Sequence, residues 1–316
     1  MKQFFSLLHL FLFLCPLLTV AEENTIDLHF CFGNSNQLVA EGRILEKHEH
    51  SPSKESDGFV ENFWRTLRLL INDEEEYAKV DLVIDGRYFS QLADEEGYFR
   101  FEVLLKDERV DSIKKLLLKS EGAEMDVGCS LFLPTSKKRI AIISDFDDTV
   151  IVSDVTDKPK LLVNLFTKNI IQREIVNGMN EFYKKTLAVD DNDSTVPLFF
   201  VTGSPRQIQP MIEEFLDYHG FPSRIVFTKK LNGDDNDPLL DQFRYKANKI
   251  ETIIKMLPEI KFVLVGDDGE QDPEVYDYFQ QRYPDQVDSV FIRQVVKDKP
   301  RQRFEGQTLF VDNPGN

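Results

Sequence analysis

The chain has 316 residues, 41% of them apolar, enough to bury a full core and more naturally divided between two domains than held in one. Its 38 lysines and arginines against 55 aspartates and glutamates leave a formal charge of −17. So acidic a surface repels nucleic-acid backbones and anionic headgroups at long range, which excludes nucleic acid as a partner and demands local positive charge wherever an anionic ligand binds.

The chain opens on a processing segment. Lys2 supplies a short positive region, residues 4–18 are strongly apolar, and Thr19-Val20-Ala21 places small residues before a cut ahead of Glu22. Residues 1–21 are therefore predicted to be a signal peptide, and the protein to be exported, periplasmic or secreted. The rival is an uncleaved membrane anchor, but the apolar stretch falls slightly short of the roughly 20 residues that a span needs. Once this segment is removed Cys31 and Cys129 remain, either paired in an oxidising compartment or as two buried thiols, and the sequence leaves both open.

Residues 25–136 read as a β-rich N-terminal domain. Gln37-Leu38-Val39-Ala40 with Gly42-Arg43-Ile44-Leu45, then Ala78-Lys79-Val80-Asp81-Leu82-Val83-Ile84, then Gly97-Tyr98-Phe99-Arg100-Phe101-Glu102-Val103 are predicted strands, with Asp85-Gly86 and Glu96-Gly97 as turn signals. A short helix is predicted around residues 63–70, with Trp64 as a core anchor. Gly128-Cys129-Ser130-Leu131-Phe132-Leu133 reads as a last strand before the polar linker at residues 134–138. This part carries no catalytic constellation; its use would be to set the rest against a membrane or a partner.

Residues 139–296 alternate apolar strand and helical pattern, as in an open parallel sheet with helices on both faces. The run Ile140-Ala141-Ile142-Ile143 leads straight into Asp145-Phe146-Asp147-Asp148-Thr149. Residues i and i+2 leave an extended backbone on one side, so Asp145 and Asp147 can face the same ligand, the first as nucleophile and the second as general acid and base. An acidic turn that merely caps a helix is the plainer reading of these five residues. Residues 154–183 form a mainly helical insert in which Leu161, Leu162, Leu165 and Phe166 cluster at helical spacing, for packing a cap onto the main domain or for receiving acyl chains. Pro197-Leu198-Phe199-Phe200-Val201 ends in Thr202-Gly203-Ser204-Pro205, where a hydroxyl, backbone N–H groups and a glycine suit a phosphate, and Pro205 suits the first turn of a following helix. Lys246 precedes the helical pattern Ile250, Ile253, Ile254, Leu257. The third run, Lys261-Phe262-Val263-Leu264-Val265, ends in Gly266-Asp267-Asp268-Gly269-Glu270-Gln271-Asp272, a second acidic strand end suited to a metal. Residues 297–316 read as a basic tail with Lys297, Lys299, Arg301 and Arg303, folding back toward the phosphate or simply exposed.

In that order these four elements resemble the haloacid dehalogenase (HAD) superfamily, and more closely the App1-like phosphatidate phosphatase catalytic domain (DUF2183), which is related to the lipins. The resemblance implies a Rossmannoid three-layer α/β/α domain with a small helical cap, preceded here by the small β-rich domain. It implies a Mg2+-dependent phosphomonoester hydrolase working through an aspartyl-phosphate on phosphatidate or a related lipid phosphate, with peripheral membrane contact. Asp145 becomes the nucleophile, Asp147 the acid and base, Thr202, Gly203, Ser204 and Lys246 the phosphate binders. Asp145, the Asp147 carbonyl and Asp267 become the metal ligands, and either Asp268 or Asp272 supports them from behind. Asp268 stands where relatives commonly have serine, and Ile225-Val226-Phe227-Thr228-Lys229 lacks an arginine and an aspartate expected after that strand, a departure that bears on substrate preference. The alternatives are a HAD-type phosphatase or phosphotransferase for soluble phosphates, and a lipid-phosphate binding module without catalysis.

Overall fold

A computed structural model describes residues 24–45, 53–54, 56–58, 61–62, 64, 66, 75–105, 113–131, 140–152, 170–187, 198–230, 241–296 and 304–312. The predicted signal peptide, the apolar cluster from Leu161 to Phe166 and most of the helix predicted at 63–70 lie outside the described residues.

The first half is a sandwich of two four-stranded sheets. β1 (Thr25–Gly33), β2 (Gln37–Leu45), β5 (Tyr98–Leu104) and β8 (Ser130–Leu131) form one in the order β5-β2-β1-β8; β3 (Lys79–Ile84), β4 (Arg87–Leu92), β6 (Leu116–Ser120) and β7 (Ala123–Asp126) form the other in the order β4-β3-β6-β7. Leu38, Ala40, Phe99 and Phe101 from the first meet Val80, Leu82, Ile84 and Leu118 from the second. The β3–β4 hairpin turns on Asp85 and Gly86, both at positive φ (45° and 86°), the two-residue turn whose twist matches the strands and which favours glycine at its second position. Cys31 on β1 and Cys129 just before β8 are joined as a disulfide across 98 residues of chain.

The second half holds six parallel strands: β9 (Ile140–Ser144), β10 (Leu198–Pro205), β11 (Ile225–Lys229), β12 (Lys261–Asp267), β13 (Val287–Arg293) and β14 (Gln307–Phe310). Their order is β11-β10-β9-β12-β13-β14. Counted from β9 this is 3-2-1-4-5-6, the doubly wound order, in which the winding reverses between β9 and β12. Helices α1 (Met179–Leu187), α2 (Gln209–Tyr218), α3 (Gln242–Met256) and α4 (Asp272–Arg282) connect the strands. Because side chains alternate across a strand, Ile142, Phe200, Val226 and Val263 pack with Met179, Tyr183, Met211 and Phe215 of α1 and α2 on one face. Ile143, Phe199, Phe227 and Leu264 pack with Tyr245, Ile250, Ile253, Tyr276 and Phe279 of α3 and α4 on the other.

The two halves share this second core. Phe30 and Phe32 of β1 enter it, with Phe30 4.6 Å from Phe227 and Phe32 5.8 Å from Phe199 between ring centroids. Behind them Glu41 of β2 is buried against Arg206, which follows β10, at 2.7 Å, and against Arg100 of β5 at 2.8 Å.

Three expectations are corrected. Trp64 is 53% exposed rather than a core anchor: among the described residues of its helical segment Asn62 and Thr66, four apart, are buried, and the position midway between them faces outward. The segment read as a basic tail contributes β14, which pairs with β13 from Val290↔Gln307 to Arg293↔Phe310, so the sheet continues past residue 296. Pro205 does not open a helix; it ends β10, a single 3-10 turn (Arg206–Ile208) intervenes, and α2 begins at Gln209 with Pro210 in its first turn.

Candidate active site

Ligands of doubly wound sheets sit beyond the carboxyl ends of the strands where the winding reverses. Here that place is the gap between β9 and β12, and the chain puts its acidic sequences there. Asp145 follows β9 directly and is still tied to the sheet through its N–H, which donates to the Val265 carbonyl at 2.9 Å. Phe146 drops into the core against Phe200 and Phe215, so Asp145 and Asp147 on either side of it stay together at the carboxyl end of the sheet. The chain then turns sharply, with Asp148 at φ 53° and Val150 N–H donating back to the Phe146 carbonyl at 2.9 Å.

The carboxylates of Asp145, Asp267 and Asp272 each present an oxygen within 4.8 Å of the others, and all three residues are buried. Asp267 ends β12 and Asp272 starts α4. Gly266 makes this approach possible, since a Cβ there would collide with the Asp272 carboxylate. Lys246, in the first turns of α3 and 1% exposed, donates to Asp145 Oδ1 at 2.9 Å and to Asp272 Oδ1, and lies 3.4 Å from Glu270 Oε2. The other oxygen of Asp145, Oδ2, is buried with no hydrogen-bond partner.

Burial opposes the charge on Lys246, but Asp145, Asp272 and Glu270 outweigh it and hold the ammonium well above the usual lysine range. The carboxylates fare the other way. Burial, with the mutual repulsion of Asp145, Asp267, Asp272 and Glu270, pushes Asp145 and Asp267 well above the usual carboxylate range despite Lys246, and Glu270 is raised for the same reasons. An ammonium facing four carboxylates leaves an excess of negative charge among hard oxygen donors, and Asp145 Oδ2 is an orphaned buried acceptor. Both features fit a small divalent cation.

Asp147 takes a different position. Its Oδ2 accepts from Thr202 Oγ1 at 3.0 Å and from Ser204 Oγ at 2.7 Å, while Thr202 Oγ1 also accepts the Ser204 N–H at 3.0 Å. Gly203 between them leaves room for the carboxamide of Gln242, which a side chain there would strike. Thus the structure brings Asp145, Asp267, Asp272 and Lys246 into one cluster and Asp147, Thr202 and Ser204 into an adjoining one.

Asp268 stands apart from both clusters. Its Oδ1 accepts the N–H groups of Val295 and Val296 at 2.8 and 3.0 Å, fastening the segment after β13. Of the two residues that the sequence left open behind the metal, Asp272 is the one beside Asp145 and Asp267. Asp148 uses its carbonyl to accept from Arg293 Nη1 at 2.5 Å.

Sequence reasoning missed several participants. Glu270 lay unassigned inside the acidic run from Asp267 to Asp272, although it sits two positions before Asp272. Tyr276, one helical turn after Asp272, donates its hydroxyl to the Val265 carbonyl at 2.9 Å, and burial among carboxylates drives it well above the usual tyrosine range. Ser144 donates to the Asp145 carbonyl and shares a 2.6 Å hydrogen bond with Tyr183, whose hydroxyl burial likewise keeps neutral. These hydroxyls hold the backbone on which the acids stand.

Residues 140–294, just under half of the chain, match the family model for the catalytic domain of phosphatidate phosphatase APP1. Phosphatidate phosphatase APP1 of Saccharomyces cerevisiae is 31% identical over 156 residues, which are 49% of this chain and 26% of that protein. An uncharacterized protein of Schizosaccharomyces pombe is 25% identical over 218 residues, 66% of this chain and 35% of that one. The chain therefore spans about a quarter to a third of the length of these curated relatives. Among solved structures, a carbohydrate acetylesterase from Xanthomonas citri aligns over 88% of this chain and 70% of its own at 9% identity, with a TM-score of 0.27, too low to bear on fold or function. The motifs at the ends of β9, β10 and β12 all fall inside the segment that matches the model for the catalytic domain of phosphatidate phosphatase APP1.

Proposed function

We propose that the protein is a Mg2+-dependent phosphomonoester hydrolase of the HAD type, acting through an aspartyl-phosphate on phosphatidate or a related lipid phosphate. The observation that carries this reading is the convergence at one switch point of a buried carboxylate with an unpaired oxygen, a charged lysine and a second carboxylate held by two hydroxyls. Asp145 attacks phosphorus, and the bond to the leaving ester oxygen breaks as that oxygen takes a proton from Asp147. Asp147 then removes a proton from water, whose oxygen attacks phosphorus and releases the Asp145 carboxylate. Lys246 offsets charge on the phosphoryl oxygens, with Thr202 and Ser204 turning from Asp147 to the phosphate as it enters. Asp145, Asp267 and Asp272 would hold the cation, which, when bound, neutralises the carboxylate excess and the phosphate.

Export to an oxidising compartment belongs to the same reading, supported by the Cys31–Cys129 disulfide. The test is phosphate release from phosphatidate, sugar phosphates and nucleotides, with and without Mg2+. Asp145→Asn is expected to abolish it on every substrate while the far-UV spectrum stays unchanged, since the amide keeps the shape without the nucleophile. Turnover by that variant within tenfold of the parent refutes the role of Asp145, and release from soluble phosphates alone moves the substrate away from lipid.

A further inference from the structure

Arg173 lies within the segment between β9 and β10, directly after the 3-10 turn Ile170–Gln172 and beside the acidic loop. Its backbone is fixed against that loop. Val152 N–H donates to the Glu174 carbonyl and Val176 N–H to the Val150 carbonyl, both at 2.8 Å. Ile175 bridges Ile151, which in turn bridges Asp147. The neighbouring Gln172 is gripped from the first half of the chain, donating to the Asp57 carbonyl at 2.9 Å and accepting from Asn62 Nδ2 at 3.0 Å.

The guanidinium so placed has Nε and Nη2 buried and without hydrogen bonds. These two nitrogens are the same edge of the group, two parallel donors spaced for two oxygens of one carboxylate or phosphate. The bridges from Ile175 through Ile151 to Asp147 put this stretch of backbone on the Asp147 side of the site, and against burial it is Asp147 that favours the guanidinium's charge. Yet Asp147 Oδ2 accepts from Thr202 and Ser204, and neither Nε nor Nη2 of Arg173 bonds to Asp147. Lys246 is already shared among Asp145, Asp272 and Glu270. In a chain of formal charge −17, an arginine with two buried, open donors beside an acidic site is, among the described residues, a cationic group available to receive an anion.

We propose that Arg173 is a substrate-binding residue that holds two oxygens of the phosphate group from the Asp147 side, with the first half of the chain positioning it through Asp57 and Asn62. This deepens the hydrolase reading above and rests on it. The test compares the full-length parent, Arg173→Met and Arg173→Lys by calorimetric titration with orthophosphate in Mg2+, by thermal melting, and by steady-state kinetics on phosphatidate. Arg173→Met is expected to weaken orthophosphate and raise KM by about tenfold or more, the loss of charge-assisted hydrogen bonds, with kcat changed less and the melting temperature unlowered. Arg173→Lys, charged but without the fork, recovers only part of the affinity. A folded Arg173→Met that binds orthophosphate within twofold of the parent overturns the proposal. If the methionine variant does not fold, a folded lysine variant with parental affinity overturns it as well. Orthophosphate binding lost with Arg173 in a parent that hydrolyses nothing upholds the site and refutes the hydrolase reading. Hydrolysis left untouched by the substitutions refutes the site alone, and a parent that neither hydrolyses nor binds orthophosphate refutes both.

Discussion

Glu41→Gln tests how firmly the two halves are joined. Glu41 is buried in the first half, and burial alone would raise its pKa; Arg206, Lys249 and Arg100 outweigh that and pull it down from 4.5 to about 2. A depressed acid stabilises the fold above its unfolded pKa and loses that contribution as pH falls through the folded one. The difference of 4.5 and 2 corresponds to about 3 kcal/mol at neutral pH. Gln keeps the shape but leaves three cations facing a neutral group, so the variant should lose about 3–5 kcal/mol at pH 7, as when one partner of a buried ion pair is removed. Linkage adds a signature. As the parent begins to titrate, the gap between the two proteins should shrink by about 1.4 kcal/mol between pH 7 and pH 3.5. Urea denaturation followed by circular dichroism at several pH values measures both quantities. A gap that stays constant with pH, or a variant within about 0.5 kcal/mol of the parent at pH 7, would refute the reasoning, because surface substitutions already account for that much.

Asp147→Asn should lower turnover by roughly 100-fold to 10,000-fold, the range for a positioned proton donor, and let the aspartyl-phosphate accumulate with a good leaving group. Asp148→Asn should do less, since the carboxylates that converge with Asp145 are Asp267 and Asp272; single-turnover kinetics in which the Asp148 variant is slower would reverse the assignment. Adding Mg2+ should raise the melting temperature of the parent, because it relieves repulsion among raised carboxylates, and should do so far less in Asp267→Asn; equal shifts in the two proteins would remove Asp267 from the metal site.

The strand-end acids were legible because β9, β10 and β12 are short apolar runs that stop abruptly at polar residues, and a covered parallel sheet leaves no other way to write such strands. The sequence likewise showed the Asp85-Gly86 turn, whose backbone demands those residue types. β13 and β14 were hidden. Val287–Arg293 alternates buried and part-exposed positions, and Gln307–Phe310 is four residues long beyond a basic stretch, so neither stands out from the polar background. Trp64 misled because an aromatic residue in a helix says nothing of which face is buried, and here, among the described residues of the segment, the buried ones are Asn62 and Thr66. Spacing alone did not choose between Asp268 and Asp272. That choice depends on Gly266 leaving room for one carboxylate and on the segment after β13 claiming the other.

The rings of Phe30 and Phe32 lie in the same apolar interior as Phe199 and Phe227. The boundary that motif and homology draw near residue 140 is therefore not a physical seam. Excised at that line, the catalytic segment would present an aromatic wall to water and would be expected to self-associate before it could be assayed. In a longer chain where a related segment follows a different neighbour, that wall must be roofed by other apolar side chains or rewritten with polar ones.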